Sequence, residues 1–400
     1  MNSTCECLNT SAVTSATDPS VAAINAAAEI LYSVFPLVFL VFGSAGNILA
    51  FVVVLRKPLR HSSSTLYLAV LAIADLGTLW FGLSRHILLA FWDLDIRKIH
   101  SSICKLQPFL LYSCLDYSAW ILAAVTVERF ISVHFPLRAH VLCTRKRARS
   151  VVLILALLVM LKNFHVFITR GDEYTFDANG TSIDLKTSCG FPLKEHRYFW
   201  VNILPWIVFL FYAVGPFTII LTMNILIIRK VLKSRKARKG LTMLVLTSGR
   251  MANGANQRTN GRGHNKGLGN SEATQTTVML ITVSLAFLLL ATPSFLHGIL
   301  GPYWRKQITN PHGEAMYNLV RVLVLCLNYT NHSINFILYC ISGKRFRTQA
   351  VILLTCGARQ ERRSNVQSGT ANTTARRGQK RQTLETQLTC VSTVTLDTPL

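Results

Sequence analysis

Charged side chains stand singly inside apolar stretches of this 400-residue chain, and that isolation is what gives them chemistry. Asp75 lies within LAVLAIADLGTLW, Asp116 within LLYSCLDYSAW and Lys162 within LLVMLKNF. A carboxylate or ammonium in such a place is costly unless it is paired, hydrated or bound to an ion. Glu128-Arg129 closes one apolar run, where an arginine needs a protein-lined polar site or else snorkels to an interface. Cys104, at the other end of that run, asks for an oxidising side. No nucleophile–base set stands out, so the chain does not read as an enzyme. No Cys/His spacing suggests zinc.

The elements that must position these residues are long and apolar. Seven segments, at 30–55, 66–91, 104–134, 148–168, 198–228, 274–301 and 317–341, are each long enough to cross a bilayer as a helix. Half the residues are hydrophobic and the formal charge is +24, a combination that suits a membrane protein with basic cytoplasmic segments. Nucleic-acid binding is the usual rival for so basic a chain. It fails because the cations lie between apolar runs and in the tail, without a binding module. There are 11 Lys and Arg from Arg229 to Lys266, ten from Lys344 to Arg381 and none in residues 1–29, which puts the amino end outside and the tail inside the plasma membrane. No cleavable signal peptide is read at the amino end. The sequons at Asn2, Asn9 and Asn179 all fall on the predicted outer side, whereas those at Asn328 and Asn331 fall inside the seventh segment.

The expected organisation is thus an all-α membrane protein. Residues 1–29 form a glycosylated outer tail, 30–342 the seven-helix bundle, 343–355 a short amphipathic surface helix and 356–400 a disordered cytoplasmic tail. Gly249–Asn270, dense in Gly and Asn, reads as a disordered loop. In the surface helix, Phe346, Ile352, Leu353 and Leu354 are expected to lie on the membrane, with basic residues meeting anionic lipid. Cys356 is a palmitoylation candidate.

Polar residues placed one or two per segment point further. Gly46-Asn47, Asp75, Ser118, Glu128-Arg129, Pro216, Phe287, Pro293, Asn331, Asn335 and Tyr339 follow one another along the chain. Cys104 precedes Arg129 by 25 residues. In these the chain resembles the rhodopsin-like G-protein-coupled receptors, over about residues 30 to 355. Asn331-His332-Ser333-Ile334-Asn335-Phe336 and Tyr339-Cys340-Ile341-Ser342-Gly343 resemble more narrowly the invertebrate FMRFamide-type neuropeptide receptors.

The resemblance implies a Cys104–Cys189 bridge over the outer mouth. It also implies a resting pair of Arg129 with Glu128, freed for a heterotrimeric G protein when the sixth helix moves outward. Asn47, Asp75, Ser118, Asn331 and Asn335 would form a polar network able to hold an allosteric sodium ion; otherwise Asp75 is a neutral, hydrogen-bonded acid. Pro216, Phe287, Pro293 and Tyr339 would carry activation. The sequence departs from that pattern with Phe336 for a proline, Asn224 for a tyrosine, Ala291 for a tryptophan and no tryptophan in the fourth segment.

By position, the ligand cavity is lined by Arg85, Leu111, Tyr112, Leu115, Phe295, Arg321 and Tyr329. Under the resemblance, Leu111 stands where amine receptors carry an aspartate and Tyr329 where opsins carry the retinal lysine, which implies neither an amine ligand nor a photopigment. Arg85 and Arg321 would favour an acidic group, or else snorkel. An extracellular peptide is the first expectation, a small acidic or odorant-like molecule the second, and a transporter or channel the third. Two further charges lie outside the resemblance. Asp116 is about 18 Å down the third helix and Lys162 about 9 Å down the fourth. They can pair if those helices face each other, or else Lys162 snorkels and Asp116 is protonated or bonded to a hydroxyl.

The tail carries Ser364, Ser368, Thr370, Thr373 and Thr374 among arginines, a kinase target whose phosphates would dock an arrestin. The end, Thr398-Pro399-Leu400, fits strand addition to a PDZ groove. Truncation after Cys356 is expected to prolong signalling, measured as the decay of the response under sustained stimulation; an unchanged decay would remove the tail from desensitisation.

Overall fold

A computed structural model describes residues 18–60, 62–176, 182–251 and 265–355. The expected features at Asn2, Asn9, Asn179, Cys356 and the tail hydroxyls lie outside them. Six helices are long and apolar enough to cross a membrane: α1 (Pro19–Leu55), α2 (Ser63–Trp92), α3 (Ser101–His134), α4 (Arg145–Thr169), α5 (Lys194–Ser234) and α6, whose span is Thr277–Lys306. The seventh crossing is made by α7 (Pro311–Ser333) and α8 (Asn335–Ser342), separated at Ile334. This crossing is more polar because Arg321, Asn328, Asn331, His332 and Asn335 fall in it. It nonetheless closes the bundle against α1, α2 and α6. The interruption persists although position 336 is Phe rather than a proline.

Helix α1 starts at Pro19, not near residue 30. Asp18 caps it by accepting the Ser20 N–H at 3.0 Å, Pro19 fits the first helical position, and the stretch VAAINAAAE that follows is rich in helix formers. At 37 residues the helix is longer than a bilayer requires, so its first turns belong to the aqueous side. Near its middle, α1 approaches α7 closely. A Cβ at Gly43 would stand 2.6 Å from Ser333 Oγ, so only glycine admits the approach. Asn47 fastens it, donating to Gly43 O at 2.9 Å and His332 O at 2.8 Å.

Helix α3 is the axis of the bundle, packed against α2, α4, α5 and α6. Ile121, Leu122 and Val125 of α3 meet Leu71, Ile220, Leu280, Val283, Phe287 and Tyr339 in one buried cluster. The outward faces are equally apolar, as with Leu153, Leu157 and Leu161 on α4, because their neighbour is lipid rather than water.

The loop expectation over Gly249–Asn270 is narrowed. Helix continues from α5 to Met251 and resumes at Asn265, with residues 252–264 outside the described ones. The surface helix is present as α9, residues 344–355. Phe346 does not lie on the membrane; it is buried, with its ring 5.2 Å from that of Tyr339 and 5.7 Å from that of Phe336. A large aromatic at the first turn gains more by plugging the inner end of the bundle than by facing headgroups. Arg347 turns back to the α8 carbonyls of Cys340 and Ile341, at 3.1 and 3.4 Å, and so caps that helix.

Asp116 and Lys162 do meet. Lys162 Nζ lies 2.9 Å from Asp116 Oδ2, and Asn163 Nδ2 donates to the same oxygen at 2.7 Å. Both charges are withdrawn from the surface, with 4% and 11% of the Asp116 and Lys162 side chains accessible. Lys162 therefore points into the bundle rather than snorkelling. With Tyr117, whose hydroxyl donates to Val152 O at 3.0 Å, the pair holds α4 to α3 without the missing tryptophan. Asp116→Asn and Lys162→Met should each cost about 3–5 kcal/mol by stranding a buried partner. The double variant should recover much of the loss; additive losses in unfolding temperature or surface level would show that the pair is not coupled.

Candidate functional site

The outer mouth is built on two tethers. Cys104 at the start of α3 is bridged to Cys189, with Cα atoms 5.2 Å apart. The bridge pins an antiparallel hairpin of β1 (Gly171–Phe176) and β2 (Ser182–Gly190) over the bundle. The sequence reading saw no strands there, because six to nine polar-rich residues carry little period-2 signal. Closing an 85-residue loop is worth about 4–5 kcal/mol on a chain-entropy basis. The second tether is Arg85 with Asp95, a two-point contact at 2.9 and 2.6 Å. Burial alone would raise the Asp95 pKa, but the Arg85 hydrogen bonds and charge outweigh it and hold it below the ordinary carboxylate value.

Arg85 is therefore engaged by an internal carboxylate, and Arg321 stands exposed. Two further guanidiniums at the mouth are ones the sequence reading passed over, Arg97 and Arg170. Arg97 Nε donates to Gln107 Oε1 at 2.5 Å, and Gln107 in turn donates to Phe81 O. Arg170 sits in the corner between Phe191 and Trp200, 4.4 and 4.3 Å from ring centroids that are themselves 6.0 Å apart. Neither makes an ion pair among the described residues. Burial lowers the pKa of both, the Arg85 cation adds to the lowering of each, and nearby Tyr112 opposes it. Both sit in connecting segments, so only folding brings them to the mouth.

The other expected lining residues fall at several depths. Tyr112 faces Trp200 at 6.2 Å between ring centroids, Leu111 is buried, and Leu115 packs on the core. Phe295 belongs to an aromatic column: Tyr212 to Phe295 at 5.1 Å, Phe295 to Phe217 at 5.0 Å, Phe217 to Phe287 at 5.4 Å. The ring that meets Phe287 is that of Phe217, the neighbour of Pro216. Ala291 is wholly buried at the position where a tryptophan was missing. Pro293 leaves the Leu289 carbonyl without its helical donor, and next to it Ser294 Oγ donates to Val324 O at 3.3 Å, linking α6 to α7. Tyr329 is buried against α2, where a Cβ at Gly82 would stand 2.1 Å from its hydroxyl.

In the middle of the bundle Asp75 is fully buried and surrounded by donors. Ser118 Oγ donates to Oδ1 at 2.7 Å, Asn335 Nδ2 donates to Oδ2 at 2.6 Å, and His332 Nδ1 lies 2.7 Å from Oδ1. Asn331 is buried but makes no hydrogen bond to Asp75, and Asn47 is spent on backbone carbonyls. A hard cation takes oxygen ligands. Here an imidazole, an amide N–H and a hydroxyl O–H point at the carboxylate, so the residues present do not fit a sodium ion. His332 was missed because one histidine in a polar run carries no spacing signal.

At the inner end Glu128 and Arg129 do not pair directly. Glu128 Oε1 accepts from Ser63 Oγ at 2.9 Å and from Ser64 Oγ, and Arg129 Nη2 donates to that same Ser64 hydroxyl. Ser64 of α2 thus stands between acid and base. Successive residues on a helix point about 100° apart, which favours a shared neighbour over a direct fork. Tyr339 is buried against Phe346, and the Asn224 amide nitrogen has no partner among the described residues.

A family model described as 7 transmembrane receptor (rhodopsin family) matches residues 46–339. The growth hormone secretagogue receptor type 1 of Oryctolagus cuniculus is 27% identical over 317 residues, covering 78% of each chain. The FMRFamide peptide receptor frpr-18 of Caenorhabditis elegans is 27% identical over 210 residues, 52% of this chain and 48% of that one. The thyrotropin-releasing hormone receptor of Bos taurus is 23% identical over 318 residues, 78% and 75% respectively.

The close approach at Gly82 makes a test of the cavity floor. Gly82→Ala should cost about 1–3 kcal/mol of stability by displacing Tyr329. Combining it with Tyr329→Ala should cost less than the sum of the two, measured by thermal unfolding; strict additivity would mean that the contact is not made.

Proposed function

The chain belongs to the rhodopsin family of seven-transmembrane receptors, and from that premise we infer a peptide-activated receptor that passes ligand binding to a heterotrimeric G protein. The observation that carries the peptide reading is that relatives covering most of the chain are named for peptide-hormone signalling, with an FMRFamide peptide receptor beside them. A small acidic or odorant-like ligand is not favoured by these relatives, nor is a transporter or channel.

The ligand enters at the mouth between the hairpin and α3, with the amino end of the chain outside and the tail in the cytoplasm. The Cys104–Cys189 bridge and the basic inner segments support that orientation. Arg97 and Arg170, two half-buried cations without ion pairs among the described residues, receive an acidic group of the peptide. Tyr112 and Trp200 supply aromatic contact beside it. The column of Tyr212, Phe295, Phe217 and Phe287 then leads from this level to the middle of α6. Displacement of α6 opens the inner face, and Arg129 leaves Ser64 to meet the G protein. A kinase and an arrestin act at the tail, a PDZ protein at its end, and lipid headgroups at the basic side chains of α9.

Peptide fractions, and not metabolite fractions, should raise guanine-nucleotide exchange in cells carrying the receptor; a response confined to metabolites would sink the peptide reading. For an active peptide, Arg97→Ala and Arg170→Ala should each raise the half-maximal concentration about 10- to 100-fold, the worth of one charge-assisted hydrogen bond. In the double variant, neutralising the acidic group of the peptide should then bring no further loss. Unchanged potency in both variants would place the acidic contact elsewhere.

A further inference from the structure

We propose that donors of the chain itself take the place of a metal cation at the carboxylate in the centre of this receptor: the His332 ring stands where such an ion would bind Asp75, and sodium therefore does not act here. Asp75 is 0% and His332 1% exposed, so neither reaches bulk water. The ring nitrogen Nδ1 lies 2.7 Å from Asp75 Oδ1, which also takes the Ser118 hydroxyl, while Asn335 covers Oδ2. A cation approaching either oxygen meets a hydrogen-bearing donor already in place.

The backbone holds the ring there. Asn47 of α1 grips the His332 carbonyl at 2.8 Å, and Gly43, with no side chain to keep α7 away, lets α1 come close enough to do so. His332 Nε2 is buried without a partner among the described residues, so no competing acceptor draws the ring away from Asp75. The other titratable groups that sense Asp75 are the Cys114 thiol and the Tyr212 and Tyr339 phenols, none of which carries a positive charge. His332 is the positively chargeable side chain in contact with this carboxylate. A sodium ion would have to displace these donors from a carboxylate at full burial.

The test uses the full-chain receptor purified in lipid nanodiscs, with thermal unfolding followed in sodium chloride and in choline chloride at equal ionic strength. The wild-type midpoint should be the same in both salts. His332→Ser replaces the ring with an oxygen ligand and vacates a cavity beside Asp75, so it should gain a sodium-specific rise of about 2–4 °C. Asp75→Asn in the same background should abolish that rise. His332→Asn, which also removes the ring and supplies an oxygen, gives the same reading should the serine variant fold poorly. A sodium-specific shift in the wild type overturns the proposal outright. So does the absence of any shift in both His332 variants, since the ring would then not be what excludes the ion. No agonist is needed, so the result is independent of the peptide reading.

Discussion

Inside a bilayer a carboxylate has no water to fall back on, and each buried one must be met by donors from neighbouring helices. Three such carboxylates stand along the axis of this protein, and the source of their donors decides which helices touch. Asp75 of α2 is covered from α3, α7 and α8. Asp116 of α3 is covered from α4, and Glu128 of α3 from α2. Hydrophobic contact fills the space between, but lipid is as apolar as the helix faces, so burial alone discriminates weakly among arrangements. The polar contacts supply the register, one near each level of the bundle.

That division explains what was legible in the sequence. The seven crossings follow from hydropathy, and the cost of lone charges offered the Asp116–Lys162 contact as one of two outcomes, the other being a snorkelling Lys162; both rest on local properties. The start of α1 at Pro19 was not seen, since an alanine-rich helix outside the bilayer has no hydropathy signature. Phe346 was misplaced because a short amphipathic pattern does not say whether its apolar face meets lipid or protein. Arg97, Arg170 and His332 were passed over for a common reason. Each acts through residues distant in sequence, such as Gln107, Trp200 and Asp75, and the juxtaposition exists only after folding. The Glu128–Arg129 pair was expected from adjacency, but adjacency on a helix separates two side chains rather than joining them.

The outer and inner ends of α3 are held in different ways. Outside, a covalent bridge and a bidentate ion pair fix the hairpin and the turn before α3, so the mouth is shaped before anything enters it. Between the two ends run the aromatic column and the Pro293 interruption of α6.

Inside, acid and base share one hydroxyl, that of Ser64, rather than a fork of parallel bonds. A fork of two charged groups opens only by separating the ions against their full attraction. A hydroxyl between them changes partners by turning about a single carbon–carbon bond, a rotamer motion completed in roughly picoseconds to nanoseconds. In the activation proposed above, release of Arg129 from Ser64 is therefore a fast step, and the slower movement of the helices, on a scale of about microseconds to milliseconds, sets the tempo.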